Sequence, residues 1–221
     1  MLIDLTWTIE EHWRYGKFHR EKIQSFENGN LWQVTGFYLG SHWFSHMDFP
    51  RHIGIQYPDS NEFPLDYYNG NASVLNLTKK SVENYGFTSE DLERACKGRD
   101  KLEKILLLRS DWGLECSHME KEFWTKAPYL TDDAIDWLRH RGDINAIAFD
   151  FPQDYSIRLL IERPVGPEEQ KTHSLLLKNN ILLIEYLSNF NLIPLDTCEF
   201  FCLPLKLDHI DGCPVRAVAK V

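Results

Sequence analysis

The run TDDAIDWLRHRGDINAIAF, residues 131–149, reads as one helix handing over to one buried strand, and that unit sets the fold class. Thr131 with Asp132 and Asp133 makes a helix start, because side-chain oxygens satisfy free N–H groups and acids suit the positive end of the helix dipole. Ile135 and Leu138 fall on one helical face, and Gly142 follows where a left-handed residue can end the helix. AIAF at 146–149 is uniformly apolar and short, the pattern of a strand covered on both faces.

The same unit recurs on either side. Upstream, Thr88-Ser89 with Glu90 and Asp91 precedes Leu92, Ala95 and Cys96 as a second capped helix, and ILLLR at 105–109 is a second buried strand. Downstream, a helix is predicted to begin near Pro167, Glu168 and Glu169, to carry Thr172, His173 and Leu175 to Leu177, and to stop at Asn179 and Asn180. ILLIEYL at 181–187 follows as a strand. FFCLPLKL and PVRAVAKV read as closing strands separated by an Asp211-Gly212 turn. Near the start, Asn28-Gly29 between KIQSF and LWQVTGFYL predicts an N-terminal antiparallel β-hairpin. The fold class is therefore mixed α/β, α+β-like, with the hairpin at one side. No repeat or linker divides the chain, so a single domain over 1–221 is expected.

Composition agrees with a chain that can bury a sizeable core: of 221 residues, 43% are hydrophobic and 26% charged. The formal charge of −9, from 24 Lys+Arg against 33 Asp+Glu, disfavours nucleic acid or an anionic membrane as the main partner. The N-terminus MLIDLTWTIEEHW has no basic region followed by an apolar run, and no stretch reaches bilayer-spanning length, which predicts a cytoplasmic protein. Five cysteines without a CxxC pair read as reduced structural thiols, Cys198 and Cys202 included.

The densest chemistry lies in Ser41-His42-Trp43-Phe44-Ser45-His46-Met47-Asp48-Phe49-Pro50-Arg51-His52, which holds three of the nine histidines within eleven positions. Ligands must converge to about 2 Å from a metal, whereas a straight strand from His42 to Asp48 would spread over roughly 20 Å. The segment must bend, and Gly40 and Pro50 suit a strand running into an irregular loop. Imidazole with carboxylate suits zinc, and also manganese or iron, better than calcium or magnesium. On residue chemistry alone, separate hydrogen-bonded histidines beneath Trp43, Phe44 and Phe49 compete with that reading. Glu185, the acid inside ILLIEYL, needs a cation, metal or hydrogen-bond partner if its strand is buried, and is ordinary if it faces solvent.

The segment resembles the HxGTHxDxPxH signature of the cyclase family that includes bacterial kynurenine formamidase and isatin hydrolase. His42, His46, Asp48, Pro50 and His52 are kept, while Phe44-Ser45 stands where the family usually has Gly-Thr. Ile3-Asp4-Leu5-Thr6, Leu107-Leu108-Arg109 with Trp112, and Ala148-Phe149-Asp150 continue the resemblance, and Asp211-Gly212-Cys213-Pro214-Val215-Arg216-Ala217 looks like its DGxPxRA closing motif. The resemblance implies a single-domain cyclase-like swivelling β/β/α fold. It also implies one or two divalent ions on His42, His46, Asp48, His173 and Glu185, with Asp48 able to bridge. His52 matches the family's general acid/base; taken alone it could instead hydrogen-bond Asp48 and orient it.

These assignments lead to a metal-dependent amidohydrolase acting on a formamide, cyclic amide or similar C–N bond of a small molecule. A lyase or cyclase, and a metal- and ligand-binding protein without activity, are the alternatives. Trp7, Trp13, Trp43 and Phe44 are candidates for an aromatic pocket lining, and the large side chain of Phe44 implies a narrower pocket or a rerouted loop. By analogy with relatives, a homodimer is expected.

Overall fold

The computed structural model describes residues 1–194 and 196–221. Its strands are β1 (Leu2–Asp4), β2 (Arg20–Gln24), β3 (Val34–Phe37), β4 (His46–Asp48), β5 (Gly70–Asn76), β6 (Gly86–Phe87), β7 (Ile105–Arg109), β8 (Tyr129–Leu130), β9 (Ala146–Phe149), β10 (Leu182–Glu185), β11 (Thr197–Pro204) and β12 (Gly212–Lys220). The helices are α1 (Ser89–Cys96), α2 (Trp112–Glu115), α3 (Lys121–Thr125), α4 (Asp132–Arg139) and α5 (Lys171–Lys178). Eight strands form one sheet in the order β1-β12-β11-β5-β7-β9-β10-β4, and a further pairing of β12 with β4 closes it into a barrel. β5, β7, β9 and β10 run parallel, whereas β4, β11 and β12 pair antiparallel.

The parallel strands read as unbroken apolar runs because both of their faces are buried. Ile105 and Leu107 point into the barrel with Ala146, Ala148, Leu182 and Ile184, and alanines 72, 217 and 219 keep that interior narrow. Their neighbours Leu106, Leu108, Ile147, Phe149 and Leu183 face outward, onto a second core shared with Leu92, Ile135, Leu138 and Leu176 of the helices.

Helix α1 is capped as expected, and the cap is a capping box, with Thr88 Oγ1 accepting from Asp91 N and the Asp91 side chain accepting from Thr88 N. The predicted hairpin is the β2–β3 ribbon, with Gly29 left-handed at φ 76 after a short 3-10 turn. Two boundaries differ from expectation. Helix α5 begins at Lys171 rather than near Pro167, because Asp154, from a distant loop, accepts from Thr172 N at 2.8 Å and so sets its first turn. Gly212 is not a turn residue: it lies in β12, and the reversal occupies 205–211 with His209 left-handed at φ 51. All five cysteines are free thiols. No helix among the described residues is long and apolar enough to cross a membrane.

Candidate metal centre

The site forms on the outer face of the barrel at its closing seam. Strand β4 pairs on one edge with β10, placing His46 opposite Glu185, and on the other with β12, placing Asp48 opposite Gly212. Alternation sends Met47 into the barrel interior and leaves His46 and Asp48 outside, on the face where Glu185 emerges. The bend required of the motif has two causes. Phe44 is left-handed at φ 55, turning the chain into β4, and Pro50 opens a 3-10 turn that brings His52 back. Helix α5 then packs His173 over the same face.

All six residues singled out in the sequence converge. His42 Nδ1 lies 2.7 Å from Asp48 Oδ1, and His46 Nε2 lies 3.1 Å from Asp48 Oδ1 and 3.6 Å from Glu185 Oε2. His173 Nε2 is 2.8 Å from Glu185 Oε1 and 3.4 Å from Asp48 Oδ2. His52, half-buried, stacks beside His42 with ring centroids 3.8 Å apart. Two donor groups, His42–Asp48–His52 and His46–Asp48–Glu185, each have their ligand atoms within 4.8 Å of one another and share Asp48.

Each of the three histidines aimed at Asp48 is held by its other ring nitrogen. His42 Nε2 faces Asp211 Oδ2 at 2.9 Å, His46 Nδ1 faces the Phe44 carbonyl at 2.7 Å, and His173 Nδ1 faces Asp154 Oδ2 at 2.6 Å. An acceptor at one nitrogen fixes the tautomer, so the opposite nitrogen carries the lone pair a cation needs. Gln153 donates to Glu185 and orients it. Asp48 is fully buried, yet its Oδ2 has no hydrogen-bond partner among the described residues, a costly arrangement unless a cation satisfies it. By its own side chains the pocket is strongly negative: burial opposes charge on His42, but Asp48 and Asp211 outweigh it and hold that imidazole up at about 10, so a bound cation would take the place of its proton. Burial also works against ionised Asp48, and the positive charge of His46 and His42 keeps it well below the usual carboxylate range. The set can hold a divalent ion.

Sequence reasoning missed Asp211 and Asp154 as supports, although Asp211 lies in a motif it had singled out. It also misplaced the aromatics. Trp7 and Phe44 are core residues, with Phe44 packed against Tyr15 and His12, and its side chain does not line the cleft. Beyond the donor residues, the walls of this cleft of about 230 Å3 are Arg14, Tyr15, Tyr186, Ile157, Leu160 and Gln170.

Residues 3–153 match the model of the family described as Putative cyclase. Kynurenine formamidase of Bacillus mycoides is 26% identical over 209 residues, covering 92% of this chain and 87% of that protein. Cyclase-like protein 3 of Oryza sativa is 27% identical, covering 88% and 68%. Isatin hydrolase A from Labrenzia aggregata, solved bound to benzyl benzoate, superposes with a TM-score of 0.80 at 20% identity over 99% of this chain and 93% of that one.

Proposed function

This chain belongs to the Putative cyclase family, and from that premise we propose that it is a metal-dependent hydrolase of a C–N amide bond in a small molecule. The observation that carries the reading is Asp48: buried, shared by two histidine-bearing donor groups, and left with an oxygen that accepts no well-aligned hydrogen bond among the described residues. His42, His46, Asp48, His173 and Glu185 would hold one or two ions, Asp48 being common to both donor groups. The mixed nitrogen and oxygen set favours zinc or manganese. When bound, such an ion would lower the pKa of water toward about 7 and would polarise a carbonyl.

The chain's own groups do the rest. Asp211, Asp154 and the Phe44 carbonyl orient the three imidazoles, and Gln153 orients Glu185. Water adds to the carbonyl carbon, the C–N bond breaks, and His52 delivers the proton that the leaving nitrogen needs. His52 Nδ1 lies 3.8 Å from Asp211 Oδ2, close enough for that carboxylate to steady the imidazolium.

Kynurenine formamidase among the relatives supports an amide substrate of formamide type. The unit is one domain. A homodimer is supported by the β2–β3 ribbon, which leaves Leu31 and Trp32 at 86% and 71% exposure and Ile23, Phe26 and Phe37 largely uncovered, because an isolated two-stranded ribbon is marginal in water. Five free thiols fit a reducing cytoplasm.

Elemental analysis of purified protein and of Asp48→Ala tests the site, and turnover of small formamides and lactams in 18O-labelled water tests the reaction. The expected result is metal in the first protein, its loss from the second, and one labelled oxygen in the product. Metal retained by Asp48→Ala, or product without label, would overturn the proposal. Sedimentation showing a monomer at micromolar concentration would reject the dimer.

A further inference from the structure

One wall of the cleft has no part in holding an ion. Residues 12–16 form a tight turn closed by His12 N donating to Gly16 O at 3.1 Å and Gly16 N donating to His12 O at 2.7 Å, with Gly16 left-handed at φ 79. His12 is buried and pins this turn from below: its Nε2 faces the His118 carbonyl at 3.0 Å and its Nδ1 accepts from Arg14 N at 3.1 Å. Arg14 and Tyr15 therefore project into the cleft from a fixed backbone. The Arg14 guanidinium lies 4.4 Å from the ring centroid of buried Trp124, which restricts it further.

Both side chains are short of partners. Arg14 forms no salt bridge with any described carboxylate, although the chain has nine more acids than Lys and Arg and most of its arginines are paired. It is the only Arg or Lys among the lining residues. The Tyr15 hydroxyl is buried close to the Arg14 guanidinium and the Phe44 backbone, yet makes no well-aligned hydrogen bond among the described residues, and burial pushes its pKa far above the ordinary phenol value, so it stays a neutral donor. A guanidinium fork without a carboxylate partner, set beside a phenol O–H and pre-positioned with it, matches a planar carboxylate.

We infer that Arg14 and Tyr15 form a carboxylate-recognition subsite, so that the substrate is a small amide bearing a carboxylate on its amine fragment. This rests on the hydrolase reading only for the word substrate; as a binding site for a carboxylate it stands by itself. A cleft of about 230 Å3, smaller than the roughly 300–1,000 Å3 typical of drug-sized ligands, limits the molecule to about one ring with its substituents, and Tyr15 and Tyr186 offer it aromatic surfaces.

The test pairs N-formylanthranilate with formanilide, which differ by one carboxylate, on the metal-loaded protein and on Arg14→Gln and Tyr15→Phe, each shown to be folded by thermal melting. The readouts are the ratio of kcat/KM for the acid over the neutral amide and, separately, calorimetric binding of anthranilate. The wild type should favour the acid. Arg14→Gln should cut that ratio and the anthranilate affinity by roughly 10- to 100-fold, the range for losing a hydrogen bond to a charged group, and Tyr15→Phe should cut both by less. An unchanged ratio and unchanged anthranilate affinity in Arg14→Gln would overturn the inference. Arg14-dependent binding of anthranilate without turnover of either amide would support the subsite while removing the hydrolase reading.

Discussion

Gly212 lies so close beneath the ring of His42 that a Cβ on it would stand 2.4 Å from Cε1 and 2.9 Å from each ring nitrogen. The glycine is needed for this approach rather than for its backbone freedom, since it sits in regular strand. Gly212→Ala should therefore tilt His42 away from Asp48 without removing any donor atom. Metal affinity should fall roughly 10- to 100-fold, as when groups supporting a ligand are disturbed, and competition with a chelator measures it. Wild-type affinity in a folded Gly212→Ala protein would show that His42 contributes nothing to binding.

His52 and His46 should separate as a proton carrier and a ligand. His52→Ala is expected to keep its metal and to lose about 10² to 10⁴-fold in turnover, the usual range for a positioned acid or base. His46→Ala should lose metal and regain part of its activity when metal is added. Because His52 also lies within ligand distance of His42 and Asp48, recovery of His52→Ala by added metal would reassign it as a ligand.

Phe44 combines a left-handed backbone with a fully packed ring. Phe44→Ala should cost about 3–5 kcal/mol through the cavity it leaves. Phe44→Gly loses one more carbon, worth about 0.8 kcal/mol, yet relieves a left-handed strain of roughly 1–2 kcal/mol. Urea unfolding should thus find Phe44→Gly at least as stable as Phe44→Ala, with the carbonyl still holding His46. A glycine variant less stable by 1 kcal/mol or so would mean that the strain is absent.

Asp150 supplies a pH signature away from the ion-binding residues. Burial pushes its carboxyl from an ordinary 3.8 up to about 6, against the opposing effect of Ser110 and Asp111, which donate to it. Between those values the native state holds more protons than the unfolded state, so this group's contribution is fully present below about pH 4 and is lost as pH rises through about 6. Two units correspond to about 3 kcal/mol. In urea titrations of metal-free protein, the stability of wild type relative to Asp150→Asn should decline by up to that amount between pH 4 and 7. A difference that rises with pH would contradict the assignment.

What could be read from sequence alone was local chemistry. The motif histidines and Asp48 announced themselves by density, α1 by its capped start, and β7 and β9 by apolar runs with two buried faces. What escaped notice was decided at long range. Strand β5, central in the barrel, contains Asn71, Ser73 and Asn76, and reads as polar until Ser73 is seen buried with its hydroxyl accepting from Glu103 N. Asp154 sets the start of α5 from across a loop, so acids near Pro167 pointed to the wrong turn. Asp211 meets His42 across 169 positions of sequence. Arg14 and Tyr15 lie in a turn with no periodicity to betray them.

The seam between β4 and β12 also orders events in time. Strand β4 carries His46 and Asp48, but its second edge is covered only by residues 212–214, and Asp211 arrives with them. During translation at about 5–20 residues per second, that second edge therefore stays bare for on the order of ten seconds, well after β10 has become available to cover the first. A chain cut short before Asp211 has every proposed ligand yet lacks β12 and the carboxylate that holds His42, so it should fail to assemble the centre. What it presents instead is an open strand edge, the surface on which nascent chains pair wrongly with one another. Retention of metal thus doubles as a report that synthesis and barrel closure have both been completed.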